Sequence, residues 1–136
     1  MNHRGGLFFI FCLPLFLKAE YSWERSHAEP LVQEGIYALY NYDFENAITL
    51  LDSARKIDSS HPLLPFVLIS AKWLKTQTEE GYDASYKMIN DEVEKTIPIY
   101  RQLMKENPYD SEMVLYLGST YGIQARTAMA NKDWLD

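Results

Sequence analysis

The chain has 136 residues, of which 47% are hydrophobic, 24% charged and 14% aromatic, with a net charge of −6. That balance belongs to one small folded domain and excludes an intrinsically disordered chain. The acidic surplus argues against nucleic acid and anionic lipid as main partners, because both repel it.

The first element is a targeting segment. His3 and Arg4 form a short basic start, Leu7 to Leu17 is an apolar run interrupted only by Pro14, and Lys18, Ala19 and Glu20 follow. This is the charged, apolar and small-residue order of a secretory signal, expected over residues 1–19. The run is shorter than the roughly 20 apolar residues that a spanning helix needs. Cleavage is expected after Ala19, with Ser22 as the other candidate; a retained membrane anchor is the alternative. Membrane contact is otherwise expected only through this segment before cleavage. Cys12 lies inside the apolar run, behind Phe9, Ile10 and Phe11, which does not fit a lipid-attachment site. Cleavage removes Cys12, Arg4 and Lys18, so the mature chain carries a net charge of −8 and no thiol for disulfide or thiolate chemistry.

Residues 20–29 are a polar lead-in. From Pro30, Leu31, Val32, Gly35, Ile36, Leu39 and Tyr40 recur at spacings of three and four, which predicts a helix with one apolar stripe. Asn41, Tyr42 and Asp43 break it, and Asp43 is placed to cap the next helix. That second helix carries Phe44, Ala47, Ile48, Leu51, Ala54 and Ile57. Asp58 to His61 break the pattern again. Pro62 opens a third helix through Leu68, Ala71, Trp73 and Leu74, with Pro65 in its first turn, where a missing N–H costs little. Thr76 to Asp83, polar and containing Gly81, is expected to be a loop. A long fourth helix carries Ile89, Val93, Ile97, Tyr100, Leu103 and Met104, with a kink or break expected at Pro98. Asn107 and Pro108 end it. Asp110 or Ser111 caps a fifth helix whose apolar stripe is read as Val114, Leu117, Gly118, Tyr121, Ala125 and Ala128. After a break at Asn131 to Asp133, Trp134 and Leu135 look like the first turn of a sixth helix. No alternating strand pattern competes.

The segment Glu34-Gly35-Ile36-Tyr37-Ala38-Leu39-Tyr40, continuing through Phe44, Ala47, Leu51 and Ala54, resembles a tetratricopeptide repeat. In that family a small residue midway along the first helix faces small residues on the second, and a proline follows. Here these are Gly35, Ala47, Ala54 and, three residues late, Pro62. Pro108, Leu117, Gly118 and Tyr121 match the first half of the pattern again. The middle segment is degenerate: Thr96, Tyr100 and Leu103 take its second-helix places. Gly35 and Gly118 lie 83 residues apart. Two repeats of about 34 leave about 15 over, which one insertion near Thr76 to Asp91 absorbs. A weaker similarity, on Leu117-Gly118, Tyr121-Gly122, Arg126 and Asp133-Trp134, is to exported bacterial proteins of uncharacterised role. The expected fold is all-α, with about two and a half antiparallel helix hairpins over residues 30–136. The apolar face of the fifth helix would then need cover, from downstream repeats missing through truncation or from another chain.

Chemistry is thinly represented. His27 and His61 fall in separate loops and do not form a metal site; His61 before Pro62 reads as a turn residue. Asp91, Glu92, Glu94 and Lys95 read as a solvated helix face, with Asp91 and Lys95 paired four apart. No Gly-x-Ser-x-Gly, zinc-binding helix or glycine-rich phosphate loop is present, so neither an enzyme nor a cofactor is expected. The resemblance implies a groove lined by the first helix of each pair: Gln33, Ile36 and Tyr40, then Phe66, Ser70 and Trp73, then Tyr116, Ser119 and Ile123. Arg126 is added as a carboxylate clamp. The expectation is an exported, periplasmic or secreted scaffold binding a protein or peptide. The rival is an accessory small-ligand-binding subunit of an envelope transporter, marked by a closed apolar pocket with converging Tyr and Arg side chains.

Overall fold

The computed structural model describes residues 26–131, and within them the protein is all helical. Five helices follow one another: α1 (Glu29–Tyr40), α2 (Phe44–Ile57), α3 (Leu64–Glu79), α4 (Tyr82–Glu106) and α5 (Ser111–Asn131). The expected signal at 1–19, its cleavage positions, Cys12 and the Trp134-Leu135 turn lie outside the described residues.

Each helix packs on the next, and α3 also touches both α1 and α5. The three-residue link between α1 and α2 makes them a helical hairpin. Its closeness has a local cause. A Cβ added to Gly35 would lie 2.7 Å from Cγ of Leu51 and 2.9 Å from its Cδ2, so only glycine lets Leu51 seat there. Ala28, Val32, Leu51, Ala54, Leu64, Leu68 and Ala71 form the first core, joining α1, α2 and α3. Ile69, Ile89, Val93 and Ile97 form a second between α3 and α4, and Tyr100, Leu103 and Met113 a third that reaches α5.

The α1 terminus ends in a left-handed turn. The N–H of Asp43 donates to Ala38 O at 3.0 Å and that of Tyr42 to Leu39 O at 3.1 Å, with Tyr42 at φ 62°. This is a Schellman closure with tyrosine where glycine is usual. The Asp43 side chain makes no capping bond to α2, contrary to the sequence reading. Asp110 does cap α5: its Oδ1 accepts from the N–H of Glu112 at 2.9 Å.

Three other expectations change. Thr76 to Asp83 is not a loop: α3 runs to Glu79 and α4 starts at Tyr82, leaving Glu80 and Gly81 between them. The polar residues there decorate helix. Lys75 pairs with Glu79 one turn on at 2.7 Å, the Thr78 hydroxyl donates to Leu74 O, and Gly81 takes φ +93° to reverse the chain. The extra residues therefore lengthen two helices. Secondly, of the kink or break expected at Pro98 the break does not occur: α4 continues through the proline, which is exposed. Thirdly, α5 is rotated from the expected stripe. Val114, Gly118, Tyr121 and Ala125 are exposed, while Met113, Thr120 and Thr127 are buried. The threonines tolerate burial because each hydroxyl donates to the carbonyl one turn back, Thr120 to Tyr116 and Thr127 to Ile123.

Candidate functional site

The expected groove residues separate into two groups. On α3 and α5 they come together. Phe66 and Tyr116 stack with centroids 6.1 Å apart, and Tyr116 in turn stacks on Tyr100 at 6.5 Å. Trp73 and Ile123 pack on the second core. The Arg126 guanidinium lies over the Trp73 ring, 5.2 Å from its centroid. That is cation–π distance, and it places the cation on an aromatic face where the sequence reading had a carboxylate clamp. The Ser70 hydroxyl donates to Phe66 O at 3.0 Å. Ser119 is half-buried. Burial holds the Tyr116 hydroxyl above its ordinary pKa, and the carboxylates of Glu112 and Asp110 add to the effect.

On α1 the group disperses. Ile36 is drawn into the first core. Gln33 is exposed and donates to Glu29 Oε1 at 2.9 Å. It lines a surface cavity of about 770 Å³ with Tyr37, Asn41, Asn46 and Leu50. Tyr40 is 81% exposed. Around it the structure gathers residues that the sequence reading passed over. Tyr37 is 73% exposed and Tyr42 80% exposed, so three tyrosines stand out from the last turn of α1 and its closing bend. Their signal in the sequence was the density of tyrosine from 37 to 42, which helical periodicity alone left ambiguous.

A second cavity, about 690 Å³, opens over α3 between α2 and α4. Leu64, Pro65 and Leu68 line it, as do Arg55, Lys72 and Lys95. Around α3 these positions lie roughly 150° from Phe66, Ser70 and Trp73, at 100° per residue. It is therefore not the expected groove, and no tyrosine lines it. Lys72 and Lys95 are paired with Glu92, which also lines it. Glu92 accepts from Lys72 on α3 and, at 2.9 Å, from Lys95. Burial would raise the Glu92 carboxyl, but these two ammonium groups outweigh it and hold it below its ordinary value. Lys95 thus pairs with Glu92 three residues back, not with Asp91 as the sequence spacing suggested. Glu92 ties two helices together while Asp91 and Glu94 stay exposed.

His61 is buried, with Nε2 3.0 Å from Glu29 Oε2, joining the α2–α3 turn to the start of α1. Beside it Ser26 donates to Asp58 Oδ2 at 2.7 Å. Among the described residues no group of three or more His, Cys, Asp or Glu is placed to hold a metal ion, and no helix is long and apolar enough to cross a membrane.

Compared with protein-family models, with curated proteins and with solved structures, the chain matches none.

Proposed function

We propose that this protein is a non-catalytic scaffold of the cell envelope, a tetratricopeptide-like stack of helix hairpins that holds a protein or peptide segment. The observation that carries the reading is the tyrosine edge of Tyr37, Tyr40 and Tyr42. Three large amphipathic side chains stand in solvent, and one of them occupies a left-handed backbone site. A left-handed non-glycine residue costs about 1–2 kcal/mol, and the ring contact of Tyr42 among the described residues is an edge contact with Phe44, at 6.0 Å between centroids. Tyrosine suits partner anchoring because it combines area with a polar tip and few rotors. Trp73 under Arg126 supplies a second aromatic contact on the side formed by α3 and α5.

Several features support the repeat. The hairpin closes on Gly35, the α1, α3 and α5 helices touch in succession, and Thr96, Tyr100 and Leu103 are buried in the second-helix places. The export signal supports the envelope location.

The test is affinity capture from the envelope fraction with the wild-type chain and with Tyr37→Ser/Tyr40→Ser/Tyr42→Gly. The last change relieves backbone strain, so the variant is expected to fold. Specific partners should be retained by the wild type and lost, at least tenfold, by the variant. Equal recovery by both chains would overturn the assignment of the binding edge.

A further inference from the structure

The hairpin that carries the tyrosine edge holds no basic residue of its own. From Ala28 to Ala54 the sequence has no lysine, arginine or histidine, yet it has five carboxylates: Glu29, Glu34, Asp43, Glu45 and Asp52. Three of these meet a basic side chain from later in the chain: Glu29 lies 3.0 Å from the His61 ring, Glu45 3.0 Å from Lys75 and Asp52 2.8 Å from Arg55. Glu34 and Asp43 have no ion-pair partner among the described residues, and both line the cavity of about 770 Å³ beside Tyr37. They belong to one stretch of the edge. Glu34 precedes Ala38 by about one turn, and the Asp43 N–H is bonded to Ala38 O. Among the described residues no lysine, arginine or histidine lines this cavity.

The uncharged groups of the cavity point to the same kind of ligand. The amide of Gln33 turns its nitrogen to Glu29 Oε1 at 2.9 Å, and that of Asn41 turns its nitrogen to Tyr37 O at 2.8 Å. Both partners can only accept, which fixes how the amides are turned and leaves Gln33 Oε1 and Asn41 Oδ1 for a ligand. Both residues are exposed. Carboxylates and amide oxygens together make a lining of acceptors. It matches a ligand rich in donors, and lysine and arginine carry several N–H donors and no acceptor. The exposed rings of Tyr37 and Tyr40 add faces that attract a cation. Arg126 over Trp73, at 5.2 Å, shows the same contact within the fold. Charge and hydrogen-bonding capacity thus select the same side chains. We propose that the segment held at the tyrosine edge is basic: its lysine or arginine enters between Glu34 and Asp43, and its apolar neighbours lie on the tyrosine rings. This rests on the reading of that edge as the binding surface. The net charge of −6 on the whole chain draws such a segment in, and salt screens the attraction.

The experiment pans a random octapeptide display library on the chain as recovered from producing cells. Beside it run Tyr37→Ser/Tyr40→Ser/Tyr42→Gly, Glu34→Gln/Asp43→Asn and the charge-reversed Glu34→Lys/Asp43→Lys. Neither carboxylate carries a bond that the fold needs, since the Asp43 side chain makes no capping bond and Glu34 is exposed. Peptides retained by the wild type and lost by the tyrosine variant should carry lysine or arginine beside an apolar residue. In fluorescence anisotropy, a labelled copy of the most enriched peptide should bind Glu34→Gln/Asp43→Asn at least tenfold more weakly than the wild type. Alanine in place of the peptide's basic residue should lose as much on the wild-type chain, and added salt should weaken binding. The charge-reversed chain should select acidic peptides instead. Neutral or acidic peptides enriched by the wild type, equal affinity for Glu34→Gln/Asp43→Asn, or basic peptides selected by the reversed chain would each overturn the basic segment while leaving the tyrosine edge in place. A library that does not distinguish the wild type from the tyrosine variant would overturn the edge itself, and this inference with it.

Discussion

The hydroxyl of Tyr100 stands between the two ends of a helix hydrogen bond at Phe66. It accepts from the Phe66 N–H at 3.1 Å and donates to Pro62 O at 2.9 Å. A side chain of α4 thereby satisfies a first-turn donor of α3 that has no partner within its own helix. The ring is fully buried, and burial holds the hydroxyl neutral far above its ordinary range. Tyr100→Phe keeps the ring and strands both backbone groups. A loss of about 1–3 kcal/mol is expected in denaturant unfolding, with the helical content retained. A loss under 0.5 kcal/mol would mean that water replaces the hydroxyl.

Gly35 and Leu51 make the sharpest packing prediction. Leu51 is fully buried among core neighbours and has no free direction in which to yield. Gly35→Ala should destabilise the fold by about 1–3 kcal/mol, despite the better helix propensity of alanine. The paired substitution Leu51→Ala in the same chain should recover part of the Gly35→Ala cost, since the clash disappears with the Leu51 side chain. A double-mutant cycle in urea measures this coupling.

Tyr42→Gly should stabilise the isolated protein. Glycine takes the left-handed site without the Cβ penalty, and the exposed ring has little to lose. The gain expected in thermal unfolding is about 0.5–1 kcal/mol, smaller than the full left-handed penalty because glycine also loosens the unfolded chain. A destabilised variant would show that the Phe44 contact outweighs the strain.

Acid should remove the stabilisation that Asp58 gives the turn between α2 and α3 and that Glu92 gives the α3–α4 contact. Burial would raise the Asp58 carboxyl, but hydrogen bonds from the Ser60 hydroxyl, Ser26 and the Ser60 N–H outweigh it, and His61 adds to them. The folded pKa therefore lies below the ordinary 3.8. Glu92 lies below its ordinary 4.5 for the reasons given. A carboxylate depressed in this way contributes fully above its ordinary pKa, and its contribution fades as pH falls through the folded value. Stability should accordingly drop below about pH 4.5, and Asp58→Asn should flatten the acid limb of the profile. Chemical denaturation at a series of pH values reads this directly; an unchanged slope in Asp58→Asn would remove Asp58 from the account.

Much of the architecture was legible because it is written in local pattern. The apolar spacing in residues 30–57 and the break at Asn41 to Asp43 determine a helical hairpin, and Gly35 against Leu51 and the backbone of Ala47 fixes where its helices meet. The end of α4 before Asn107 and the cap at Asp110 follow from the same local chemistry, whereas the start of α4 at Tyr82 does not, since a loop was expected there. The expected groove residues came only from family analogy, and the tertiary structure redistributed them. Phe66, Trp73, Tyr116 and Ile123 pack inward because α3 and α5 are neighbours, whereas Gln33 and Tyr40 face solvent because the buried arc of α1 is already filled by Leu51 and the first core.

Helix α5 shows where the sequence stops deciding. Its start is a local property, and it is as expected. Its rotation is not local, because the helix carries apolar residues on two sides and either could face a core. Packing against α4 selected the side with Met113, Tyr116 and Ile123, and two threonines could join it since their hydroxyls bond back to their own helix. That choice leaves Gly118, Gly122 and Ala125 outward. The sequence by itself determined that these small residues share one stripe; only the tertiary structure decided that the stripe is surface, because burial depends on which neighbour arrives and not on the residues that await it.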